Sequence, residues 1–228
     1  MWFPDGGSVL VYSQNLQKPG FFGLYRVDLA SAKTELLHES RDGLQGLALS
    51  PDGKAVFYTA RSPEDDSLLN RLVRFDLDTR RETELKKGEW FISVAVSPDS
   101  KQLAYLVSVR PGASSYLGVI PTAGGASREV FRGAPWMDGS RYGALTWTPD
   151  QRYLMFVRGG VGNSSPNVAW RVPVTGGPAE QIGVSMNGRI KVPQVHPDGR
   201  RLVFGMTDTT PNELWTLENF LPKLASTH

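Results

Sequence analysis

The sequence predicts an all-β propeller of about five four-stranded blades. Three observations lead to this prediction. A proline–aspartate turn recurs five times, short apolar runs keep a constant order around each turn, and no stretch shows sustained helical periodicity. Four short antiparallel strands in each repeat of ~47 residues are typical of propeller blades.

The recurring turn reads Ser-Pro-Asp-Gly in its most complete copy, residues 50–53. Its prolines stand at positions 4, 51, 98, 149 and 197, which are 47, 47, 51 and 48 residues apart. Proline presets the first corner of a tight turn, aspartate hydrogen-bonds nearby backbone N–H groups, and glycine supplies a left-handed conformation. The residue before proline favours extended geometry, so each copy marks the junction of two strands.

Four runs follow the same order in each complete repeat. The first precedes the turn, as at 47–49, and the second follows it, as at 56–59. A third run, as at 72–75, comes after a loop of variable length, and a more polar fourth run, as at 83–85, closes the repeat. A β-sandwich also contains many short strands, but it need not repeat its turn chemistry in phase.

These repeats predict one propeller domain over residues 1–220 and a C-terminal tail over 221–228. The blades are expected near 1–43, 44–90, 91–142, 143–188 and 189–220. The first lacks most of an inner strand, and the fifth lacks a clear outer one. Either the chain is the C-terminal part of a longer propeller, or five blades close with the tail over the last edge. An uncovered strand edge pairs readily with another chain, so an incomplete ring predicts self-association.

The composition excludes several classes of function. Lys plus Arg number 25 against 23 Asp plus Glu, a net charge of +2, so the concentrated cationic surface of a nucleic-acid binder is not expected. The apolar runs are far shorter than the ~20 residues that cross a bilayer, so we predict no membrane insertion. Without cysteine there is no disulfide framework and no thiolate metal site.

No catalytic constellation is apparent. His38 is expected on a surface loop after an outer strand, His196 within a turn, and His228 is terminal. The chain has neither a G-x-S-x-G nucleophile elbow nor an H-E-x-x-H zinc motif. The aspartates of the turns are expected to cap their own turns. We therefore predict no catalytic residue, no metal and no cofactor.

Binding is expected at one end of the propeller, where the loops joining second and third strands lie beside the connections between blades. We call this end the loop face. It gathers arginines and aromatics, the residue types enriched at interface hot spots. Its candidate protein-binding residues are Arg61, Trp90, Phe91, Arg110, Trp136, Tyr142, Arg158 and Arg189. The alternative for the aromatics is that they are buried. Trp90 and Phe91 then begin a buried inner strand.

Three segments resemble a known repeat. Residues 50–54 (Ser-Pro-Asp-Gly-Lys), 24–29 (Leu-Tyr-Arg-Val-Asp-Leu) and 72–77 resemble the TolB-type propeller repeat, a relative of the WD-repeat family. The third and fourth repeats depart from it, with Pro121 and Pro173 where the first two have aspartate. The resemblance implies a bacterial, periplasmic or extracytoplasmic setting and a protein-binding platform or a companion to a catalytic domain.

The sequence thus predicts a non-catalytic module that binds a protein or peptide, in the C-terminal part of a larger bacterial protein. Two alternatives stay open. The segments "IPTAGGASREV" and "RVPVTGGPAEQI" also resemble propellers that precede dipeptidyl-peptidase-like serine peptidase domains, so the chain would be a gating propeller without its hydrolase. The other is a propeller enzyme with carboxylates at the mouth of its channel.

Overall fold

Eighteen strands in the described part of the chain form five antiparallel sheets in a computed structural model. The structure describes residues 1–15, 17–41, 43–61, 70–108, 115–133, 145–158, 167–186, 189–195, 201–207 and 213–218. Within these ranges the innermost strands of successive sheets lie against one another, from the second sheet to the fifth. This radial arrangement is that of a β-propeller, as the sequence predicted.

The strands run in chain order within each sheet. The first sheet consists of β1 (Ser8–Gln14), β2 (Phe22–Asp28) and β3 (Thr34–Ser40). The second consists of β4 (Gln45–Leu49), β5 (Ala55–Arg61), β6 (Asn70–Asp76) and β7 (Arg81–Glu89). The third consists of β8 (Phe91–Val96), β9 (Gln102–Val107), β10 (Tyr116–Pro121) and β11 (Arg128–Arg132). The fourth consists of β12 (Leu145–Trp147), β13 (Tyr153–Arg158), β14 (Asn167–Pro173) and β15 (Glu180–Met186). The fifth consists of β16 (Arg189–Val195), β17 (Arg201–Thr207) and β18 (Glu213–Glu218).

The first and fifth sheets are the incomplete ones. The inner strand of the first sheet is reduced to a single bridge between Trp2 and Val9. The fifth sheet has three strands among the described residues, with β16 at its inner edge. No strand of the first sheet packs broadly on a strand of the fifth within the described part of the chain, so closure of the ring is not seen there.

Successive sheets bury apolar faces against each other. Between the first two, Leu10 and Leu24 share a cluster with Val56, Tyr58 and Phe75. The next interface is built in the same way around Phe57, Leu72, Leu103 and Tyr105, and the third around Leu106, Leu117, Leu154 and Phe156. Full burial of one such side chain contributes about 1.5–3 kcal/mol. The faces between sheets therefore form the core.

A tryptophan adds a polar contact across one of these interfaces. The indole N–H of Trp147, in β12, donates to the main-chain carbonyl of Ala95 in β8 at 2.9 Å. The residue is only 5% exposed, so this hydrogen bond satisfies a donor that burial would otherwise leave without water. It ties the inner strand of the fourth sheet to that of the third.

The recurring turn depends on its hydroxyl residue as much as on its aspartate. The Ser97 hydroxyl donates to Asp99 at 2.6 Å and accepts the backbone N–H of Gln102 at 2.9 Å. Ser50 and Thr148 make the equivalent bonds in their turns, and all three hydroxyl residues are buried. Through the hydroxyl, each aspartate is coupled to the first backbone N–H of the following strand.

Neighbouring turns also touch. A Cβ on Gly53, whose φ is +71°, would lie 2.9 Å from the Pro4 ring. The backbone N–H of Asp52 donates to the hydroxyl of Ser100, one repeat later, at 3.2 Å. Ser100 and Gln151 hold the same turn position with φ of +61° and +60°, so the close approach of Pro4 is what specifically favours glycine at position 53.

The buried turn hydroxyl makes a testable contribution to stability. We expect Ser97→Ala to lower the free energy of unfolding by about 1–3 kcal/mol, because the Gln102 N–H and the Asp99 carboxylate both lose the buried hydroxyl that bonds them. Urea unfolding measures the loss. Ser97→Thr is the matched control, since Thr148 fills the same position in the next repeat, and it should stay near wild type. Equal stability of the alanine variant and wild type would contradict this account.

Candidate protein-binding face

Two of the candidate binding residues come together at the loop face. Arg61 is the last residue of β5, and Trp90 lies in the connection between β7 and β8. They line one cavity of about 130 Å³ at the junction of the second and third sheets. Its other lining residues are Gly43, Gln45, Thr59, Ala60, Asn70 and Ile92.

A buried asparagine, Asn70, lines this cavity. The side chain of Asn70, which begins β6, donates through Nδ2 to the carbonyl of Phe91 at 2.9 Å. Its Oδ1 accepts the N–H of Phe91 at 2.8 Å. This reciprocal pair fixes the start of β8, next to Trp90, to the second sheet. Sequence reasoning missed Asn70, because a single asparagine at the edge of a loop carries no pattern.

The two candidate residues differ in how they are held. Trp90 is half-buried and packs against the core between the third and fourth sheets. Arg61 is exposed, and its guanidinium has no hydrogen-bond or ion-pair partner within the described residues. The indole is therefore fixed, while the guanidinium has its donors available beside it. Such a pair can hold an apolar side chain and a carbonyl or carboxylate of a partner.

Phe91 was predicted as a binding residue, and that prediction is wrong. Its side chain is 0% exposed and packs edge-on against Tyr105, with ring centroids 5.5 Å apart. The Phe91 side chain lies between the second and third sheets, in one cluster with Phe57 and Leu72. The alternative interpretation, burial at the start of an inner strand, holds for this residue.

The remaining candidates are placed only in part. Arg110, Trp136 and Tyr142 lie outside the described residues. The backbone of Arg158 ends β13, opposite Val168, and that of Arg189 begins β16, opposite Thr207. Both positions are at strand ends on the loop-face side of their sheets.

A larger cavity of about 750 Å³ lies along the inner strands. It is lined by Met1, Trp2, Tyr12, residues 44–49, residues 92–96, Leu145 and Thr146. This lining contains no Asp or Glu side chain among the described residues. The carboxylates that a catalytic channel mouth would need are therefore not present in this part of the wall.

His38 corrects another expectation, because it lies within β3 rather than on a surface loop. The Nε2 atom of His38 is 3.1 Å from the carboxylate of Glu82 in β7. The same carboxylate accepts the Tyr58 O–H at 2.6 Å and pairs with Arg71 at 3.1 Å. These bonds, chiefly the one from His38, lower the pKa of Glu82 to about 2. Burial and the adjacent Glu82 carboxylate raise the pKa of Tyr58.

This ionic cluster, His38 with Tyr58, Arg71 and Glu82, joins the first sheet to the second. None of its members lines either cavity. Its three partners hold Glu82 as the ionised carboxylate, because they lower its pKa. The cluster is an interface clamp between blades.

The described residues hold no metal-binding cluster and no membrane-spanning helix. They contain no group of three or more His, Cys, Asp or Glu side chains arranged to hold a metal ion. Within the same ranges, no helix has the length and apolar character needed to cross a membrane.

Comparison with known proteins gives a fold likeness and no sequence relative. No family model and no curated protein matches the chain. Among solved structures, TolB from Acinetobacter baumannii matches with a TM-score of 0.73 at 16% identity, over 94% of this chain and 51% of that chain. The chain therefore spans about half the length of that TolB.

Two further structures with the same fold are different proteins. A chain of a nidogen–laminin complex has a TM-score of 0.66 at 15% identity, over 94% of this chain and 74% of that one. A prolyl endopeptidase has a TM-score of 0.58 at 16% identity, over 96% of this chain and 36% of that one. Likeness at these identities shows fold alone, and the fold is a TolB-like β-propeller.

The clamp predicts a pH-dependent contribution to stability. Because the pKa of Glu82 is lower in the folded chain than its ordinary value of 4.5, the carboxylate stabilises the fold above that value. The contribution fades as pH falls toward about 2. We expect Glu82→Gln to cost about 1 kcal/mol at pH 6, since solvent screens a side chain that is 29% exposed. Urea unfolding should show a smaller cost at pH 3.5.

Glu84→Gln is the control for that experiment, because Glu84 lies on the same strand and pairs only loosely with Lys87, at 3.8 Å. It should change stability little at either pH. A cost for Glu82→Gln that stays constant between pH 6 and pH 3.5 would contradict the clamp.

Proposed function

We propose that the chain is a non-catalytic β-propeller module that binds a protein or peptide at its loop face. The observation that carries this proposal is the placement of exposed Arg61 and half-buried Trp90 around one small cavity between two blades. Arginine and tryptophan are the residue types most enriched at binding hot spots.

The size of the cavity favours a macromolecular partner. At about 130 Å³ it is smaller than the ~300–1,000 Å³ that pockets for small molecules usually have. A cavity of this size suits one apolar side chain of a partner, seated against the Trp90 ring. The Arg61 guanidinium at the rim then donates to a main-chain carbonyl or a carboxylate beside that side chain. An extended peptide or a protein loop supplies both groups.

The setting of this module is also part of the proposal. The nidogen–laminin complex to which one neighbour belongs agrees with a propeller that binds another protein. A bacterial, periplasmic protein of which these residues form the C-terminal part stays a prediction from the sequence. Pairing of uncovered strand edges with a second copy stays a prediction from the sequence.

A gating propeller of a serine peptidase is the alternative, and the likeness to a prolyl endopeptidase favours it. The gene that encodes the chain separates the two. An α/β-hydrolase domain in the same reading frame would support the gating role, and its absence would favour the binding module.

Removing the guanidinium tests the binding role. Peptides are first selected from a random phage-displayed library on the immobilised wild-type chain. They should bind the Arg61→Ala variant at least tenfold more weakly, because at least one charge-assisted hydrogen bond is lost. The melting temperature should stay at the wild-type value, because Arg61 is exposed at a strand end. Fluorescence anisotropy with the selected peptides measures affinity.

Arg81→Ala is the matched control, since Arg81 is an exposed arginine at the opposite end of the second sheet, where β7 begins. It should keep wild-type affinity. Peptides that bind wild type and Arg61→Ala equally, or a library that yields no specific peptide, would count against the proposal.

A further inference from the structure

A second unpaired arginine, Arg41, stands at the loop face near Arg61. It follows β3, in the connection that leads from the first sheet to the second. Its side chain is exposed, and its guanidinium has no hydrogen-bond or ion-pair partner among the residues that the structure describes. Gly43 lines the same small cavity as Arg61 and comes only two residues after Arg41, so at most about 7 Å separates their Cα atoms. Two arginines without partners therefore stand near one cavity.

An aromatic ring holds the Arg41 side chain in place. The guanidinium carbon lies over the Phe21 ring, 5.2 Å from its centroid. The Lys18 ammonium contacts the same ring at 3.7 Å. A cation within about 6 Å of a ring centroid is attracted to the ring, and this contact uses none of the N–H donors. The Arg41 charge is therefore positioned in advance while its donors stay available.

The connection that carries Arg41 is itself anchored. The backbone N–H of Leu44 donates to the Tyr12 hydroxyl at 2.7 Å, and Leu44 is buried. The Tyr12 ring stacks on Phe22, with ring centroids 5.7 Å apart. Tyr12 thus fixes the start of β4 to the first sheet, as Asn70 fixes the start of β8 to the second. Both arginines lie next to segments that strands hold in position.

The unpaired charge at this end of the first two sheets is positive. Within their described residues, the carboxylates at the loop face are Glu39 and Glu89, and both have partners. Glu39 pairs with Lys18 and accepts a hydrogen bond from the Asn15 amide at 2.9 Å. Glu89 accepts the Tyr116 O–H at 2.6 Å and pairs with Lys86 at 3.2 Å. A partner of complementary charge is therefore acidic.

We propose that Arg41 and Arg61 together select an acidic peptide segment. An extended segment seats one apolar side chain in the cavity beside Trp90 and places a carboxylate against each guanidinium. Guanidinium groups bind carboxylates through paired, charge-assisted hydrogen bonds. This inference rests on the proposed binding role of the loop face and adds the charge of the partner. An uncharged segment also fits the cavity, but it leaves the Arg41 donors unused.

A double-mutant cycle tests the selection. The peptides chosen from the phage-displayed library are remade with every Asp and Glu replaced by Asn and Gln. We expect the wild-type chain to bind these amide forms at least tenfold more weakly than the acidic forms. Arg41→Ala should bind the acidic forms at least threefold more weakly than wild type does, and the amide forms equally well. Fluorescence anisotropy measures all four affinities.

The cycle separates recognition from a structural effect of the substitution. An Arg41→Ala variant that weakens both peptide forms by the same factor would overturn the proposal, since altered packing does not distinguish a carboxylate from an amide. Arg41→Lys keeps the charge and loses the paired donors, so its affinity for the acidic forms should lie between those of wild type and Arg41→Ala.

Arg128→Ala is the matched control, because Arg128 is an exposed arginine at the opposite end of the third sheet, where β11 begins. It removes the same charge from the chain and should keep wild-type affinity for the acidic forms. A loss equal to that of Arg41→Ala would show an effect of net charge alone and contradict selection at the loop face.

Acidic residues of the chain itself are the competing occupants. Asp42, Glu64, Asp65 and Asp66 follow the two arginines in sequence and lie outside the described residues. A variant with all four changed to the corresponding amides should bind the acidic peptides no more than threefold more tightly than wild type. A larger gain would show that the chain's own carboxylates occupy the guanidinium groups, which would overturn the proposal.

The outcome also separates this inference from the proposed function. Selected peptides that depend on Arg61 but bind equally well in their amide forms would leave binding at the loop face in place and overturn only the acidic selection. A library that yields no specific peptide would count against both.

Discussion

Face-to-face packing of sheets is the constraint on which this molecule depends. A twisted four-stranded sheet with apolar residues on both faces must be covered on both sides. Residues such as Tyr58 and Tyr105 show this directly, since each is nearly fully buried between its own sheet and the preceding one. In a radial series every internal sheet is covered on both faces. Uncovered faces remain only where the series is interrupted. The exposure of Val11 and Leu36 on the first sheet therefore has the same physical origin as the propeller itself.

Polar contacts determine how the sheets meet. Trp147 ties two inner strands, Asn70 ties the start of β8 to the second sheet, and the cluster around Glu82 ties two outer strands. Each of these bonds crosses from one blade to the next. Apolar packing alone tolerates sliding, whereas hydrogen bonds of fixed geometry specify the position of each sheet. These hydrogen bonds also fix the position of Trp90 on the loop face, because Trp90 lies directly before the strand that Asn70 anchors.

The surface proposed for binding combines two kinds of contact. The loop-face cavity pairs a fixed aromatic ring with a free guanidinium and offers hydrogen bonds at its rim, which suits selective recognition of a short segment. The second sheet, which borders this cavity, is itself packed on the first sheet through Leu10 and Leu24.

The sequence alone determined the period, the order of strands within each repeat, and the roles of proline, aspartate and glycine in the turn. These are local properties, and every predicted run lies in a strand of the structure. The sequence did not predict the β-bulges between the third and fourth strands of each blade. They follow Leu24, Leu72 and Leu117, at equivalent points in the strand pairing. Only the tertiary structure decided that Phe91 is core while Trp90 reaches a cavity, and that His38 lies within a strand against Glu82. Residues nearby in the sequence do not encode such distinctions. Burial and ion pairing here depend on side chains of the adjacent sheet, which lie about one repeat away in the sequence.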